Sequence, residues 1–434
     1  MNISPARTSA FDILLRIDRE KAYSSVLLPM FEADLSEVDR SLCHELTLGT
    51  LRRQMYLDAI IDAFASGKKI DVEIRIALRM ALYQLIYLDK IPQFSAINES
   101  VNLVQRAKKT SAKGFVNAIL RRATREKPEF SFAGAIERIS VETSHPAWLI
   151  EKWIAEFGDE QAAAIAYANN EIPDTAFRLL GEPADDVQML VDSATPSSYA
   201  AGCYIACKRE DRLLDLAAEG RIYLQDEASQ LVAQAVAVPR NGKILDVCAA
   251  PGGKTGLIAL RDAVKSALIV AGDLHRPRVE YLRDNCRRQG AEFVTVVQYN
   301  AEKSLPFADG SFDVVLVDAP CSGTGTIRHN PEIRYFIEPG DFPALASKQL
   351  SILVNASKLV RAGGTVIYST CSLEKDENED VCQKFAAQSV EFQTAKPNVA
   401  EIFMTRDGFA RTWPHSHNMD GFFIASFRRI GTGI

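Results

Sequence analysis

The chain has 434 residues, more than a usual single domain, so we expect two or three domains. Hydrophobic residues make up 47% of it and charged residues 24%, a composition typical of globular proteins and unlike disordered or collagen-like chains. The net charge of -6 excludes a nucleic-acid signature spread over the whole chain. No run of eighteen apolar residues occurs, so no membrane-spanning helix is expected.

The amino terminus and the cysteines indicate the compartment. The first residues, Met1 to Pro5, lack the charged and apolar regions of a signal peptide. Eight cysteines are scattered along the chain, and the close pair Cys203 and Cys207 has no second pair at zinc-ligand spacing. We therefore expect a cytoplasmic protein with free thiols, no metal site and no membrane partner.

Residues 1–135 are predicted to form an all-α domain. Apolar residues recur there at helical spacing, for example over Val72 to Leu88, and a small helical bundle is the simplest arrangement. Asp39 and Asp71 are expected to cap two of its helices. The segment contains no catalytic constellation, and such a domain is more often a binding module than an enzyme.

Positive charge is concentrated in this first domain. Residues 1–130 hold 20 Lys/Arg and 16 Asp/Glu, and the segment from Arg106 to Lys127 has eight basic residues against one acid, Glu126. Such a cluster can bind RNA phosphates. The residues predicted to do so are Arg106, Lys108, Lys109, Arg121 and Arg122. The alternative interpretation, which charge alone favours, is a solvated helix face without a partner.

The pattern changes twice further along the chain. Residues 145–235 mix helical stretches with short strand-like pieces broken by Pro, Gly and Ser, which predicts a linker and a small α+β subdomain. Residues 236–434 alternate strands and helices, which predicts an α/β domain with a mostly parallel sheet. A long helix over about 342–361 is expected to stop at Gly363-Gly364, and a late strand near 421–428 is expected to form an antiparallel edge.

Polar and reactive residues follow the predicted strands of this last domain. Ligands in such sheets bind outside the carboxyl ends of the strands. Those ends carry, in order, Cys248–Lys254, Asp273, Asn300, Asp318 with Cys321, and Cys371. Gly252 and Gly253 allow the backbone to approach a ligand closely, at a spacing that is neither a Walker loop nor GxGxxG. We expect a nucleotide-like ligand here, with Asp273 accepting ribose hydroxyls.

Two of the cysteines are expected to be reactive. Cys321 and Cys371 each follow a strand within a turn of small residues, which exposes the sulfur at the sheet edge. Because a thiolate is a strong nucleophile, two thiols facing one pocket fit a covalent reaction with a second step at sulfur. A redox disulfide is the rival interpretation, although no CxxC motif is present. Cys248 is expected to contribute at most its backbone.

At these positions the chain resembles a known enzyme family. The stretches Asp246-Val-Cys-Ala-Ala-Pro-Gly-Gly-Lys-Thr, Asp318-Ala-Pro-Cys-Ser-Gly-Thr-Gly and Tyr368-Ser-Thr-Cys-Ser resemble motifs of the S-adenosylmethionine-dependent RNA cytosine-C5 methyltransferases (Nol1/Nop2/Sun family). The helical domain resembles the antitermination factor NusB in Ala81-Leu-Tyr-Gln-Leu and Phe115-Val-Asn-Ala-Ile-Leu-Arg. This combination, which covers essentially the whole chain, resembles bacterial family members that act on small-subunit ribosomal RNA. It implies a Rossmann-like methyltransferase sheet behind a NusB-like domain.

The resemblance also implies roles for individual residues. Cys371 would be the nucleophile that adds to C6 of the target cytosine, Cys321 would assist its release, and Asp318 would hydrogen-bond the base near N3. S-adenosylmethionine would be held by Cys248, Ala249, Ala250, Pro251, Gly252, Gly253 and Lys254, together with Asp273, Asn300 and Asp318. The implied product is C5-methylcytosine in small-subunit ribosomal RNA, and we expect the enzyme to be a monomer without a metal.

Two positions depart from the family pattern, and two other functions stay open. Many relatives carry Asp where this chain has Asn300, and Arg-Val-Asn where it has Arg178-Leu-Leu. These changes leave the cofactor affinity and the fine RNA contacts open.

One alternative is an RNA-binding ribosome-assembly factor with little or no methyltransferase activity. The other is a DNA cytosine-C5 methyltransferase, whose nucleophile would be Cys321; the Thr370-Cys-Ser turn and the NusB-like domain argue against it.

Overall fold

The computed structural model describes residues 3–65, 67–206, 211–237, 239–261 and 267–431. The chain divides into two compact units, Met1–Ile172 with Ile327–Ile337, and Pro173–Thr326 with Glu338–Ile434. In the described ranges, no helix is long and apolar enough to cross a membrane. Cys207, which lies four residues after Cys203 in the sequence, is outside these ranges.

Helices and strands are numbered in chain order over the described residues. The helices are α1 (Pro5–Glu20), α2 (Ser24–Glu32), α3 (Glu37–Arg52), α4 (Gln54–Ala65), α5 (Val72–Tyr87), α6 (Gln93–Arg106), α7 (Lys113–Ala123), α8 (Ala135–Thr143), α9 (Ala147–Phe157), α10 (Asp159–Ala168), α11 (Asp185–Ser193), α12 (Asp211–Ala218), α13 (Glu227–Ala235), α14 (Gly253–Ala259), α15 (Arg276–Arg288), α16 (Ile333–Phe336), α17 (Asp341–Ser357), α18 (Glu379–Gln388) and α19 (Pro414–His417). The strands are β1 (Thr175–Leu179), β2 (Thr195–Pro196), β3 (Cys203–Ala206), β4 (Ile222–Leu224), β5 (Lys243–Asp246), β6 (Leu268–Asp273), β7 (Thr295–Gln298), β8 (Phe312–Asp318), β9 (Val360–Thr370), β10 (Phe392–Ala395), β11 (Ala410–Arg411) and β12 (Phe423–Arg429).

The first unit contains α1–α10 and α16, so the all-α fold predicted for residues 1–135 is confirmed, while the unit extends beyond the predicted bound to Ile172 and includes α9 and α10. One of the two expected caps is misplaced, and the other has the predicted position. Ser36 precedes α3, and its Oγ accepts the backbone N–H of Asp39 at 3.2 Å, so Asp39 lies in the first turn instead. Asp71 stands at the N-cap of α5 as predicted, although its side chain makes no capping hydrogen bond; its Oδ2 accepts from Lys109 at 2.7 Å.

The second unit holds two sheets. The smaller has the order β2-β3-β1-β4, with the pairs β2/β3, β3/β1 and β1/β4 all antiparallel. The larger runs β10-β12-β9-β8-β5-β6-β7, and its pairs from β9 to β7 are parallel. The predicted mostly parallel α/β sheet is therefore confirmed. The late strand β12 is antiparallel as expected, but it is not the edge, because β10 pairs with its outer side.

The boundary between α17 and β9 differs from the sequence expectation. The helix ends at Ser357, and Val360 already pairs with Phe312 of β8. Gly363 has a φ of 75°, and a Cβ on Gly364 would lie 2.6 Å from a backbone oxygen of Asp313. The two glycines therefore permit a bend inside a strand, where the sequence was interpreted as a helix stop.

Candidate active site

The loop after β5 has the tight geometry that its glycines predict. Gly252 has a φ of 104°, a conformation that side chains rarely adopt, and a Cβ there would lie 2.9 Å from Leu282. Helix α14 begins at the next residue, Gly253. The strand, the turn and the helix thus follow one another within a few residues, as in the ligand-binding unit of doubly wound sheets.

Four successive carbonyls of this loop are held by side chains from elsewhere in the unit. Helix α15 supplies two of the donors, Arg278 to Ala250 (2.9 Å) and Asn285 to Pro251 (2.6 Å), and its C-cap residue supplies a third, Gln289 to Gly252 (3.3 Å). The fourth donor is Arg178, to Gly253 at 3.3 Å. We did not predict these supports, although the spacings of seven and four residues on α15 do place the three donors near one helix face.

Arg178 is the first residue of the Arg178-Leu-Leu stretch, which differs from the Arg-Val-Asn of many relatives. Its side chain is almost fully buried beside the loop after β5. Its Nε donates to Gln225 at 3.2 Å, and its guanidinium lies 4.8 Å from the ring centre of Tyr223. Burial lowers the pKa of Arg178 to about 10, so the side chain stays charged at neutral pH. In this structure the residue braces the loop.

A cavity of about 330 Å³ lies at the carboxyl ends of β5, β6, β7, β8 and β9, within the size range of small-ligand pockets. The predicted site residues that line it are Cys248, Ala250, Asp273, Asn300, Asp318, Cys321 and Cys371. Ala249, Pro251, Gly252, Gly253 and Lys254 belong to the same loop but do not line the cavity. Strands β5 to β9 thus bring residues that are far apart in the sequence to one place.

Asp273 and Asn300 both use part of their hydrogen-bonding capacity within the protein. Asp273 forms an ion pair with Arg278 at 3.2 Å, and its Oδ1 accepts the backbone N–H of His275 at 3.3 Å. The Oδ1 of Asn300 accepts the backbone N–H of Glu302 at 2.9 Å. The oxygen expected to contact a ligand amino group is therefore already engaged once, with one lone pair left.

Asp318 forms a partly buried ion pair with Lys254. The Lys254 Nζ donates to Asp318 Oδ2 at 2.8 Å and lies 4.9 Å from the ring centre of Phe422. Burial, the largest single influence, opposes the charge on Lys254, but Asp318, Cys371 and Asp246 together raise the pKa of the ammonium group above its ordinary value. No described residue donates to the other oxygen, Oδ1, so it can accept from a ligand.

The two candidate catalytic thiols are in contact. The Sγ atoms of Cys321 and Cys371 lie 3.2 Å apart. The hydrogen bond to Cys371, followed by burial, raises the pKa of the Cys321 thiol well above its ordinary value, so Cys321 keeps its proton. Burial, followed by Asp246, likewise raises the pKa of Cys248, which makes that thiol a poor nucleophile.

The basic cluster of the first unit is less positive than its local sequence indicates. Arg106 forms two hydrogen bonds to Asp12, at 2.7 and 2.8 Å, and Lys109 pairs with Asp71 at 2.7 Å. Arg122 pairs with Glu126 at 2.7 Å. By contrast, Lys108 and Arg121 form no ion pair with any residue in the described ranges; Arg121 Nε donates to Asn117 Oδ1 at 3.1 Å, and its two terminal nitrogens can still bind an external anion.

Comparison with known proteins gives the family. Residues 233–428 match the family described as 16S rRNA methyltransferase RsmB/F, and residues 4–125 match the NusB family. A Bacillus subtilis protein described as a probable ribosomal RNA small subunit methyltransferase B is 33% identical over 99% of this chain and 100% of its own length. The ribosomal RNA small subunit methyltransferase B of Pseudomonas putida is also 33% identical, with 98% of each chain covered.

The fold is shared with a solved structure. The crystal structure of PH0851 matches with a TM-score of 0.82 at 24% identity, covering 99% of this chain and 100% of the other. The architecture of both units therefore agrees with the sequence relationship. The chain belongs to the ribosomal RNA small subunit methyltransferase B family of S-adenosylmethionine-dependent enzymes.

Proposed function

We propose that this protein transfers a methyl group from S-adenosylmethionine to C5 of a cytosine in small-subunit (16S) ribosomal RNA, through a covalent bond between Cys371 and C6. The observation that carries the proposal is the contact of Cys321 and Cys371 in a cavity that also contains Asp318. A nucleophilic thiol, a second thiol that keeps its proton and a carboxylate are groups that this reaction can use for addition, for release and for binding of the base.

The residues around the loop after β5 fit the cofactor. Gly252 permits a tight turn, Asp273 offers a carboxylate at the cavity wall, and Cys248 and Ala250 line the same wall. Asp273 would accept the ribose hydroxyls, and Asn300 would accept one hydrogen bond through its remaining lone pair. When bound, S-adenosylmethionine supplies an electrophilic methyl group on its sulfonium.

The cysteines act on the base. The Cys371 thiolate adds to C6, and the electrons of the C5–C6 double bond shift toward C4 and N3. The resulting enamine makes C5 nucleophilic. Asp318, through Oδ1, would hydrogen-bond the ring near N3 and favour the electron-poor form that this addition needs. After C5 is methylated, a base removes the C5 proton, the C5–C6 double bond re-forms, and the Cys371–C6 bond breaks. The protonated Cys321 would hydrogen-bond the departing thiolate.

The RNA must present its cytosine outside any stack, because the reacting carbons are inaccessible in a helix. The first unit would contribute phosphate contacts through Arg106, Lys108, Lys109, Arg121 and Arg122. We further propose that the protein acts in the cytoplasm as a monomer and without a metal.

Incubation with tritiated S-adenosylmethionine tests the function. The proposal predicts label in small-subunit ribosomal RNA, recovered as C5-methylcytosine, and none in DNA. Labelled DNA would favour the DNA methyltransferase alternative. RNA binding without any label would favour the assembly factor, and either result would overturn the proposal.

A further inference from the structure

A buried carboxylate, Glu377, connects the loop that contains Cys321 with the loop that contains Cys371. Its Oε1 accepts the backbone N–H of Ser322 at 2.9 Å and the Nε2 of Gln349 at 2.8 Å. Its Oε2 accepts the hydroxyls of Ser322 and Ser372, both at 2.5 Å. The side chain is 0% exposed. Four donors therefore offset the cost of burying this charge.

Two of the groups that Glu377 binds are serines that stand next to the two cysteines in the sequence. Ser322 directly follows Cys321, and Ser372 directly follows Cys371, so one carboxylate holds the residue next to each thiol. The two serine hydroxyls also contact each other at 3.0 Å. A single side chain, that of Glu377, therefore fixes the position of both loops.

Neighbours of Glu377 reinforce both loops. Gln349, which donates to Glu377, also donates to the carbonyl of Pro320 at 3.0 Å, on the other side of Cys321. Asn378 donates to the carbonyl of Ser372 at 2.8 Å and accepts the hydroxyl of Thr370 at 2.5 Å. Each cysteine is therefore held on both sides by a network centred on Glu377 and Asn378.

We propose that Glu377 is a positioning residue that sets the distance between the Cys321 and Cys371 thiols; its catalytic consequence rests on the proposed function. Glu377 does not line the cavity, so it acts through the two loops and not on a substrate. Misplacement of reacting groups by about 1 Å can cost about a hundredfold in rate, which gives such a residue a measurable effect.

The first test needs neither RNA nor cofactor. Diamide oxidises two neighbouring thiols to a disulfide and is itself reduced to a hydrazine. The rate at which the Cys321–Cys371 disulfide forms is measured by peptide mass spectrometry under non-reducing conditions. Glu377→Ala is expected to slow it about tenfold or more. Glu377→Gln keeps the shape and one acceptor oxygen, so a smaller effect is expected. Glu227→Gln, a buried carboxylate that accepts from Ser197, is the matched control and should match the wild type.

The second test uses the reaction. Glu377→Ala should lower kcat about tenfold to a hundredfold and leave KM for S-adenosylmethionine within about twofold, because the cofactor loop is not touched. If the alanine variant does not fold, Ser322→Ala combined with Ser372→Ala removes two of the donors and should act in the same direction. Wild-type disulfide rates in these variants would overturn the inference.

The two proposals can fail separately. If the wild-type protein methylates RNA but the Glu377 variants keep its disulfide rate and kcat, the positioning role is wrong and the function stands. If the wild-type protein does not methylate RNA but Glu377→Ala slows disulfide formation, the positioning of the thiols stands and the proposed function is wrong.

Discussion

The Sγ atoms of Cys321 and Cys371 lie 3.2 Å apart although 50 residues separate them in the sequence. They meet because β8 and β9 are parallel neighbours, with Asp318 paired to Ser369 at their carboxyl ends. Each cysteine follows its strand within a few residues. The contact therefore depends on the strand order of the sheet and on the network around Glu377.

Removal of each thiol should block a different step. Cys371→Ala is expected to abolish methyl transfer, because no covalent bond to C6 can form. Cys321→Ala is expected to form that bond but to release it slowly. A protein–RNA adduct should then accumulate and be visible as a shifted band on a denaturing gel.

A buried thiol outside the cavity provides the control for these two variants. Cys382 is almost fully buried in α18, and burial raises its pKa well above the ordinary value. Cys382→Ala should retain turnover and form no persistent adduct. Full turnover by Cys371→Ala would contradict the assignment of the nucleophile.

The large sheet and its reactive edge were predictable from the sequence because short-range signals define them. Apolar runs followed by glycine, Asp or Cys mark both the strands and their carboxyl ends, and parallel strands align those ends. The prediction that Gly363-Gly364 ends a helix was wrong for the same reason, because it used only a short-range signal. A glycine pair has the same local appearance at a helix end and at a bend within β9, and only the pairing of Val360 with Phe312 distinguishes them.

Within the predicted RNA-binding set, the two cations that form no ion pair with described residues, Lys108 and Arg121, should contribute most to RNA binding. Lys108→Glu combined with Arg121→Glu should weaken binding and reduce the slope of log K against log salt by about 1 to 2. Arg106→Gln combined with Asp12→Asn leaves the net charge unchanged and should change the slope less. The measurement is a salt titration of RNA affinity, and an unchanged slope in the charge-reversal variant would refute the phosphate contacts.

Asp246, at the end of β5, should make stability depend on pH. Its Oδ2 accepts from Thr255 at 2.6 Å, and burial raises its pKa to about 7. The folded protein then binds more protons than the unfolded chain between about pH 4 and pH 7, so this group lowers the free energy of unfolding as pH rises through that window, by up to about 4 kcal/mol.

Replacement of this carboxylate isolates its effect. The Tm of Asp246→Asn minus that of the wild type should increase from pH 5 to pH 8 in scanning calorimetry, because only the wild type must ionise the buried group. A difference that does not change with pH would show that Asp246 ionises as readily in the folded protein as in the unfolded chain.

Asn300→Asp should strengthen cofactor binding. The Oδ1 of Asn300 already accepts from Glu302, and an aspartate would offer a second, charged oxygen. A charge-assisted hydrogen bond to the adenine amino group should add about 1 kcal/mol, which isothermal titration calorimetry can measure as a lower Kd. Weaker binding by the aspartate variant would argue against contact with the adenine.

The supports of the site were not predictable from the sequence, because their partners are distant and chemically ordinary. Arg278, Asn285 and Gln289 hold loop carbonyls about 28 to 37 residues away, and no local pattern identifies a side chain that braces a backbone. Asp12 neutralises Arg106 across 94 residues, which a count of charges within the basic segment could not include.

The central claim is tested most directly by mapping C5-methylcytosine in ribosomal RNA from cells that lack the protein, compared with cells that express the wild-type chain or Cys371→Ala. We predict a methylated cytosine in the small-subunit RNA that is lost without the protein, restored by the wild type and not restored by Cys371→Ala. An unchanged methylation map in cells that lack the protein, or restoration by Cys371→Ala, would contradict the account.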